Sequence, residues 1–442
     1  MNRFILSMVL YMGTNCMAFA QFGTYTASEM QSYIDKETGV EITVLTDTAR
    51  NDRFLYQTDP MWTSDGKYLL FRSSSRGNDK EMERRLPDGK VRKFRPTQIY
   101  FIEMETGKII QATEGPDLGN AFLANKDNRM FMNRNENGNW NMYVLDLDRF
   151  FHDVYMGKVK RQSDYETFVG TFPKDMGRPG GYAVSCDDEY AYIAVEREGT
   201  EEEKKRMEEN AFKPQDNQPV KIKPSLGGIR KMNLKTGEVT KVVDVEFKVG
   251  HVQASRFVPD EILFCNETGG DAHQRMWYCK ADGSGFKPLY KETPLDWVTH
   301  ETFATRDYVY FNVLGFQPRL RKQASGIFRI NLRTDDVEVI GQVEMEKDRR
   351  AIEGQLIGRG FWHCNASRDN YWAAGDTFGG NVWIINVATG ERHRIASDTK
   401  MKPDHAHPSF SPDGNRLLFQ SGHFTGGKRL NLMMVDISSF RK

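Results

Sequence analysis

The sequence has few cysteines and no net charge, and each shortage narrows the possible functions. Five cysteines occur in 442 residues and none forms a Cys-x-x-Cys pair, so we expect no zinc site built from thiolates. The 61 basic side chains balance 61 acidic ones, which leaves no general attraction for nucleic acid or an anionic membrane, although a local basic cleft remains compatible. A Gly-x-Ser-x-Gly elbow, which carries a serine nucleophile, is also missing.

The sequence also has no hydrophobic run long enough to span a membrane, and its longest apolar run lies at the N-terminus. Residues 1–20 contain Arg3, a short apolar run and an Ala-Phe-Ala sequence at 18–20. This order is typical of a secretory signal peptide, and the apolar run is too short to span a bilayer. We therefore expect a periplasmic or secreted protein that begins near Gln21 and has no membrane association after cleavage.

Export permits disulfides among the cysteines that remain. Cys265 and Cys279 are candidates to pair across one hairpin, although spacing does not fix connectivity. The alternative is that Cys186, Cys265, Cys279 and Cys364 are all small apolar side chains in the core.

One pattern recurs along the chain: an apolar strand, a polar turn, a second strand and a hairpin. Seven such units span residues 60–110, 122–167, 181–240, 251–289, 300–341, 362–395 and 405–436. The last is short by one strand, and residues 39–46 alternate like a strand without a hairpin partner nearby. We predict that this N-terminal strand completes the seventh unit, because closing a ring removes exposed strand edges. The fold class is all-β, a seven-bladed β-propeller in one domain over residues 21–442; the count leaves six or eight blades open.

A polar helix is predicted at residues 201–210, where it interrupts the third unit. Eight of its ten residues are charged. Charge runs are usually solvated, so we interpret it as a loop helix, and the alternative is a lip of the binding cleft.

His405 and His407 lie two residues apart in a segment predicted to be a strand. Side chains at i and i+2 of a strand point to one face, so both imidazoles are expected to reach one point, as a metal site requires. The alternative is a pair of surface histidines. His251, His300 and His363 occupy equivalent positions at strand starts in other units. Since first strands surround the channel of a propeller, we expect these side chains to converge.

Two arginines are candidates to bind a substrate carboxylate. Arg275 precedes an apolar strand and is expected to lean towards the same mouth, where a guanidinium can make two hydrogen bonds to a carboxylate. Its alternative is an exposed charge of a hairpin. Arg230, in the third unit, is the second candidate.

Five segments carry a resemblance to a known family: Gly-His at 250–251, Ile-Leu-Phe-Cys-Asn-Glu at 262–267, Arg-Met-Trp at 275–277, Thr-His-Glu at 299–301 and His-Ala-His-Pro-Ser-Phe at 405–410. Phe-Leu-Tyr-Gln at 54–57 and Thr-Glu-Gly at 113–115 are similar as well. They resemble the oligogalacturonate lyases, polysaccharide lyase family 22, and the similarity extends in order over most of the mature chain. The resemblance implies a seven-bladed propeller that performs manganese-dependent β-elimination on short oligogalacturonides, which are acidic oligosaccharides of pectin. It implies no oligomeric state.

In that family three histidines and a glutamine hold the metal. The histidines correspond to His300, His405 and His407, and the glutamine position holds Lys402. Lysine is a poor ligand because its amine must first lose a proton. Either Lys402 points outward and leaves Asp404 or water to complete the shell, or it points inward and pairs with the substrate carboxylate. We assign Lys402 and His363 to substrate binding.

The family's base corresponds to His251, while its arginine has no clear counterpart and Arg230 is nearest in sequence. β-Elimination removes the C5 proton of a uronate and expels the oxygen at C4. A metal ion and an arginine neutralise the adjacent carboxylate, and neutral His251, kept so by neighbouring cations, takes the proton. Two rival functions stay open: a propeller enzyme that cleaves another uronate-containing glycan without a metal, and a non-catalytic sugar-binding propeller.

Overall fold

The computed structural model describes residues 22–77, 81–85, 89–116, 118–210, 223–343 and 360–441. The predicted signal peptide at residues 1–20 lies outside these ranges, so its cleavage stays a prediction. Within the described ranges, no helix combines the length and the apolar content that a bilayer span requires.

Seven antiparallel sheets of four or five strands follow one another along the chain as the blades of a β-propeller, which confirms the predicted fold class. Numbered in chain order, blade 1 contains Asp52–Arg53, Tyr68–Ser73, Gln98–Glu103, Ile109–Gln111 and Tyr25–Thr26; blade 2 contains Leu118–Leu123, Arg129–Glu136, Asn139–Asp146 and Glu166–Thr171; blade 3 contains Arg178–Val184, Tyr190–Glu196, Gly227–Asn233 and Val239–Val245; and blade 4 contains Val249–Ala254, Glu261–Asn266, Met276–Lys280 and Lys287–Pro288.

The remaining blades continue the same order. Blade 5 contains Val298–Phe303, Tyr308–Val313, Gly326–Asn331 and Val337–Gly341; blade 6 contains Phe361–Ala366, Trp372–Thr377, Val382–Asn386 and Arg392–Ala396; and blade 7 contains Ser409–Phe410, Arg416–Ser421, Asn431–Asp436, Glu41–Val44 and Gln31–Ile34. A separate hairpin pairs Met82–Arg85 with Val91–Phe94. From blade 2 to blade 7, the first strands of neighbouring blades lie against one another, which places residues of those strands around the central axis.

The middle strands of each blade are continuous apolar runs, because a blade is covered on both faces by its neighbours. In blade 4, for example, Ile262, Leu263, Phe264 and Cys265 are all fully buried. Polar turns separate these runs. At the predicted Ser-Pro-Asp-Gly turn, the Gly414 N–H donates to the Ser411 carbonyl at 2.9 Å, and Gly414 has φ of 69°, a value that glycine adopts without steric cost.

The N-terminal strand closes the ring as predicted. Glu41–Val44 pairs with the third strand of blade 7, with Thr43 opposite Met434. The expectation that this strand lacks a hairpin partner is wrong, since Gln31–Ile34 pairs with it on the outer side. That outer strand, Gln-Ser-Tyr-Ile, is mostly exposed, so its sequence carries no apolar periodicity to reveal it.

Two α-helices occur in the described chain. Glu201–Glu209 confirms the predicted loop helix: Thr200 and Glu203 form a capping box and the helix has no buried residue. Leu147–Tyr155 was not predicted; it follows blade 2's third strand and packs Phe151 on Tyr68 of blade 1, with ring centroids 3.9 Å apart.

The four cysteines within the described residues are free thiols. Cys265 lies opposite Met276 and Cys279 lies opposite Ile262, so the two candidates for a disulfide are not cross-strand neighbours. The interpretation as small core side chains fits Cys265, Cys279 and Cys364, which are buried.

Closure of the ring by the N-terminal strand leads to a prediction about stability. Ile42, in the strand that completes blade 7, is fully buried in the core that blade 7 shares with blade 6. We expect Ile42→Ala to lower the free energy of unfolding by about 2–5 kcal/mol, since it removes buried methylenes and leaves a cavity. Urea unfolding measures this, with Ile34→Ala in the exposed outer strand of the same hairpin as the matched control, expected to change stability by about 0.5 kcal/mol or less. Equal losses in the two variants would show that the strand does not close the ring.

Candidate active site

Five histidines from blades 4 to 7 lie close together, with His363 at their centre. The His363 ring lies 4.0 Å from that of His300, 3.9 Å from that of His407 and 5.2 Å from that of His405, between centroids. Tyr56 connects the fifth, His251, to this group: its ring centroid is 5.0 Å from that of His251 and 5.3 Å from that of His407. We call the five residues the histidine cluster.

The backbone at three of these histidines is left-handed, which is uncommon for residues with a side chain. His251, His300 and His407 have φ of 45°, 57° and 50°. The first strands of blades 4 and 5 change register at the first two, between Gly250 and Gln253 and between Thr299 and Thr302. Such bulges redirect side chains and are frequent next to active sites.

The strand predicted at His405 and His407 is wrong in its position. The first strand of blade 7 begins at Ser409, so the two histidines precede it, and their ring centroids are 6.5 Å apart. Both nevertheless face His363, because a left-handed residue at His407 replaces the alternation of a strand.

Asp376, on the second strand of blade 6, connects the two histidine-bearing segments. Its Oδ1 accepts the backbone N–H of His363 at 2.8 Å, and its Oδ2 accepts those of Ala406 at 3.0 Å and His407 at 3.2 Å. The ring Nδ1 of His363 lies 3.1 Å from both oxygens. Burial acts to raise the pKa of Asp376, but the contacts with His363 outweigh it and hold the pKa well below its usual range.

The buried imidazoles are neutral at physiological pH. Burial lowers the pKa of His363 to about 4 and that of His300 well below its ordinary value, and it also lowers the pKa of His405. A neutral imidazole has a free lone pair, which is the form that binds a metal ion. The neighbouring Asp376 adds a carboxylate, and one ligand atom each from His363, Asp376 and His405 lie within 4.8 Å of one another. Imidazole and carboxylate donors suit a divalent transition metal, so this set fits manganese.

Lys402 is exposed. Asp404, two residues further on, contacts the cluster. Its Oδ1 accepts the His405 N–H at 2.9 Å and is 3.2 Å from Nε2 of His407, while its other oxygen is 3.7 Å from Arg53. Of the two expectations for Lys402, the outward orientation agrees with the structure.

His251 contacts an anion, not the cations expected around it. Its Nε2 lies 3.2 Å from Oε2 of Glu267. Burial acts to raise the pKa of Glu267, yet the hydrogen bond to His251 and the charge of Arg275 outweigh it and hold the pKa at about 2. Because an ionised carboxylate only accepts, the proton of neutral His251 lies on Nε2, which leaves Nδ1 as an acceptor.

Arg275 is buried behind His251 and does not reach a mouth of the channel. Only 4% of its surface is exposed, and its Nε donates to Oε2 of Glu301 at 2.8 Å. The alternative of an exposed hairpin charge is wrong, because the buried Glu301 and the half-buried Glu267 lie against its guanidinium. A direct contact between Arg275 and substrate stays a prediction.

Arg230 and His363 also differ from their predicted roles. Arg230 is buried in blade 3, where it forms an ion pair with Asp244 at 2.8 Å and donates to the Met176 carbonyl, so the structure does not bring it to the cluster. His363 is 3% exposed, and this burial at the centre of the cluster leaves no surface for contact with a sugar.

A basic cleft opens beside the cluster. It has a volume of about 810 Å³ and is lined by His251 and Tyr56 and by three arginines, Arg53, Arg72 and Arg95. Asp59 also lines it, and burial raises the pKa of this carboxyl to about 6. None of the residues of the helix Glu201–Glu209 lines it, so the helix is not a lip of this cleft. The chain as a whole has no net charge, but this cleft offers cations to an acidic ligand.

Three residues of the site were not predicted from the sequence. Asp376 carries the clearest signal, since it is an acid in the apolar strand Trp372–Thr377, and a buried acid needs partners. Glu267 directly follows an apolar strand, which alone does not distinguish it from an exposed strand end. Tyr56 lies in no regular element. Both belong to segments that resemble the family, at 262–267 and 54–57, and that resemblance is the signal the sequence offers for them.

Comparisons with known proteins agree with this architecture. Residues 220–439 match the sequence model of the family described as oligogalacturonate lyase. The chain is 23% identical over 424 residues to an oligogalacturonate lyase of Dickeya dadantii (strain 3937), covering 90% of this chain and 94% of that protein. It is 22% identical over 406 residues to an oligogalacturonide lyase of Pectobacterium atrosepticum, covering 88% and 92%.

Two solved structures share the fold. An oligogalacturonate lyase of Vibrio parahaemolyticus matches with a TM-score of 0.69 and 18% identity, covering 96% of this chain and 100% of that one. An oligogalacturonate lyase in complex with manganese matches with a TM-score of 0.67 and 20% identity, covering 95% and 100%.

The contact between Glu267 and His251 makes a prediction about pH dependence. Because the pKa of Glu267 falls from 4.5 to about 2 on folding, its contribution to stability is present above the unfolded pKa and is lost as the pH falls towards 2. We expect the stability difference between wild type and Glu267→Gln to shrink by about 2 kcal/mol between about pH 5 and about pH 3. Urea unfolding at each pH measures it. The exposed Glu105→Gln should show a constant difference, and the same constancy for Glu267→Gln would contradict the assignment.

Proposed function

Because the chain belongs to the oligogalacturonate lyase family, we propose that it cleaves short oligogalacturonides by metal-assisted β-elimination and releases 4,5-unsaturated uronate products. It is an enzyme of the carbon–oxygen lyase class. The observation that carries the proposal is the position of the histidine cluster beside a cleft lined by three arginines. That arrangement favours an acidic substrate and a metal ion, and it disfavours the two rival functions.

We assign the metal to His300, His405 and His407, with manganese as the ion. A relative of the same fold is an oligogalacturonate lyase in complex with manganese. Imidazole nitrogens are suitable donors for such an ion, and burial lowers the pKa of His300 and of His405, which favours the neutral form that binds a metal. When bound, such a cation neutralises the substrate carboxylate and makes the proton on C5 more acidic.

His251 acts as the general base in this proposal. Glu267 fixes its tautomer, so that Nδ1 is the atom that receives the C5 proton. The imidazolium that forms is stabilised by the adjacent carboxylate, whose own charge is maintained by Arg275. Arg275 is thus a positioning residue, which acts on His251 through Glu267.

The cleft arginines hold the substrate. Arg53 and Arg72 line the same cavity as His251 and can pair with uronate carboxylates through two hydrogen bonds each. In the reaction, the C5–H electrons form the C4–C5 double bond, the C4–O bond breaks, and the departing oxygen takes up a proton. No water is added, which distinguishes this elimination from hydrolysis.

We also propose that the protein acts in the periplasm or outside the cell. The N-terminal sequence of Arg3, an apolar run and Ala-Phe-Ala at 18–20 supports this. An exported lyase meets pectin fragments before they enter the cytoplasm.

The assay that tests the function follows the ultraviolet absorbance of the unsaturated uronate. We expect digalacturonate and trigalacturonate to give this product with manganese, a chelator to abolish it, and added manganese to restore it. Full activity in chelator, or cleavage of the sugars without an unsaturated product, would contradict the proposal. Uronates other than galacturonate, assayed alongside, separate the main proposal from its first rival.

Removal of the base tests its assignment. We expect His251→Ala to lower kcat by a factor of about 10² to 10⁴, the usual contribution of a general base, without changing manganese affinity. His152→Ala, on the exposed face of the helix Leu147–Tyr155, is the control and should retain wild-type kinetics. A near-normal kcat for His251→Ala would assign the base elsewhere.

A further inference from the structure

We propose that His363 is a fourth imidazole ligand of the metal and that Asp376 positions it, an inference that rests on the metal-dependent function proposed above. The three histidines already assigned to the metal come from blades 5 and 7. Blade 6 lies between them, and His363 is the residue that it places there.

The first observation behind this inference is the position of His363. Its ring contacts the rings of all three other ligands, with centroids between 3.9 and 5.2 Å away, whereas His405 and His407 are 6.5 Å apart from each other. An ion held by His300, His405 and His407 would therefore lie next to His363. A neutral imidazole beside a cation is stabilised when a nitrogen lone pair faces the ion, because that nitrogen can then bind it as a ligand.

The hydrogen bonds of His363 decide which nitrogen is available. Asp376 holds Nδ1 at 3.1 Å, and because an ionised carboxylate only accepts, Nδ1 carries the proton. Nε2 then has a free lone pair, and no hydrogen-bond partner for it is found among the described residues. Metal-binding histidines commonly donate their second nitrogen to a carboxylate in this way, which fixes the tautomer and the ring orientation.

Asp376 acts on more than one ligand. Its two oxygens accept backbone N–H groups from His363 and His407, so it sets the spacing between blade 6 and the segment that carries two further ligands. Because its oxygens already accept these hydrogen bonds, Asp376 acts by positioning His363 and His407. The two other candidates for a fourth ligand are less suited, since Lys402 is exposed and Asp404 is already near Arg53.

The test counts nitrogen ligands on manganese. Pulsed electron paramagnetic resonance of the manganese-loaded protein, with histidine labelled with ¹⁵N, reports the imidazole nitrogens bound to the ion. We expect one fewer in His363→Ala than in wild type, together with a loss of manganese affinity of about 100-fold in calorimetry at fixed pH. For Asp376→Asn we expect the same nitrogen count as wild type and a loss of about 10- to 100-fold.

His393→Ala is the matched control. It removes a partly buried histidine on the last strand of the same blade, where it contacts Trp372 and Phe440, and it should leave both the count and the affinity unchanged. If His363→Ala does not fold, His363→Gln, which keeps a polar side chain, takes its place. The wild-type protein by itself must already show four imidazole nitrogens bound to manganese.

The outcomes separate the two proposals. A wild-type protein with three bound imidazoles, or a variant with an unchanged nitrogen count, would overturn the role of His363 and leave the lyase function standing. A wild-type protein that binds no manganese, and is fully active in chelator, would overturn the metal-dependent function and this inference together.

Discussion

A single buried carboxylate determines the geometry of the site. Asp376 accepts three backbone N–H groups and lies against the His363 ring, so the spacing between blade 6 and the start of blade 7 depends on it. A buried ion without partners would cost several kcal/mol, but here every contact is a hydrogen bond that favours the charged form. The constraint acts in both directions, because the histidines need Asp376 for their positions and Asp376 needs their N–H groups to stay ionised.

A second set of buried charges organises the other side of the cluster. Arg275 lies between Glu301 and Glu267, and Glu267 contacts His251. Two carboxylates and one guanidinium leave this set with an excess of negative charge next to His251. Such an excess would stabilise a protonated His251, the form that the proposed base takes after it receives a proton.

The sequence predicted the parts of the structure that depend on local pattern. The seven units, the closing strand and the loop helix follow from apolar runs and turn residues, and the convergence of histidines follows from their equivalent positions in those units. The polar strand Gln31–Ile34 has no such pattern. The pairings of Asp376 with His407 and of Arg275 with Glu301 join different strands or blades, and left-handed backbone at His251 or His407 is not encoded by residue type. These features arise only when the ring is closed, which is why the sequence did not reveal the pairings of Arg230 with Asp244, Arg275 with Glu301 or His363 with Asp376.

Ring closure also sets when the site comes into existence. His405 and His407 precede the first strand of blade 7, and that blade is completed by Glu41–Val44 from the opposite end of the chain. Contacts so distant in sequence form late, because the chain must first lose the entropy of closing a very long loop. Until the two ends of the chain meet, the segment with His405 and His407 has no completed blade 7 behind it. The histidine cluster is therefore a product of the whole ring, and no single blade carries it.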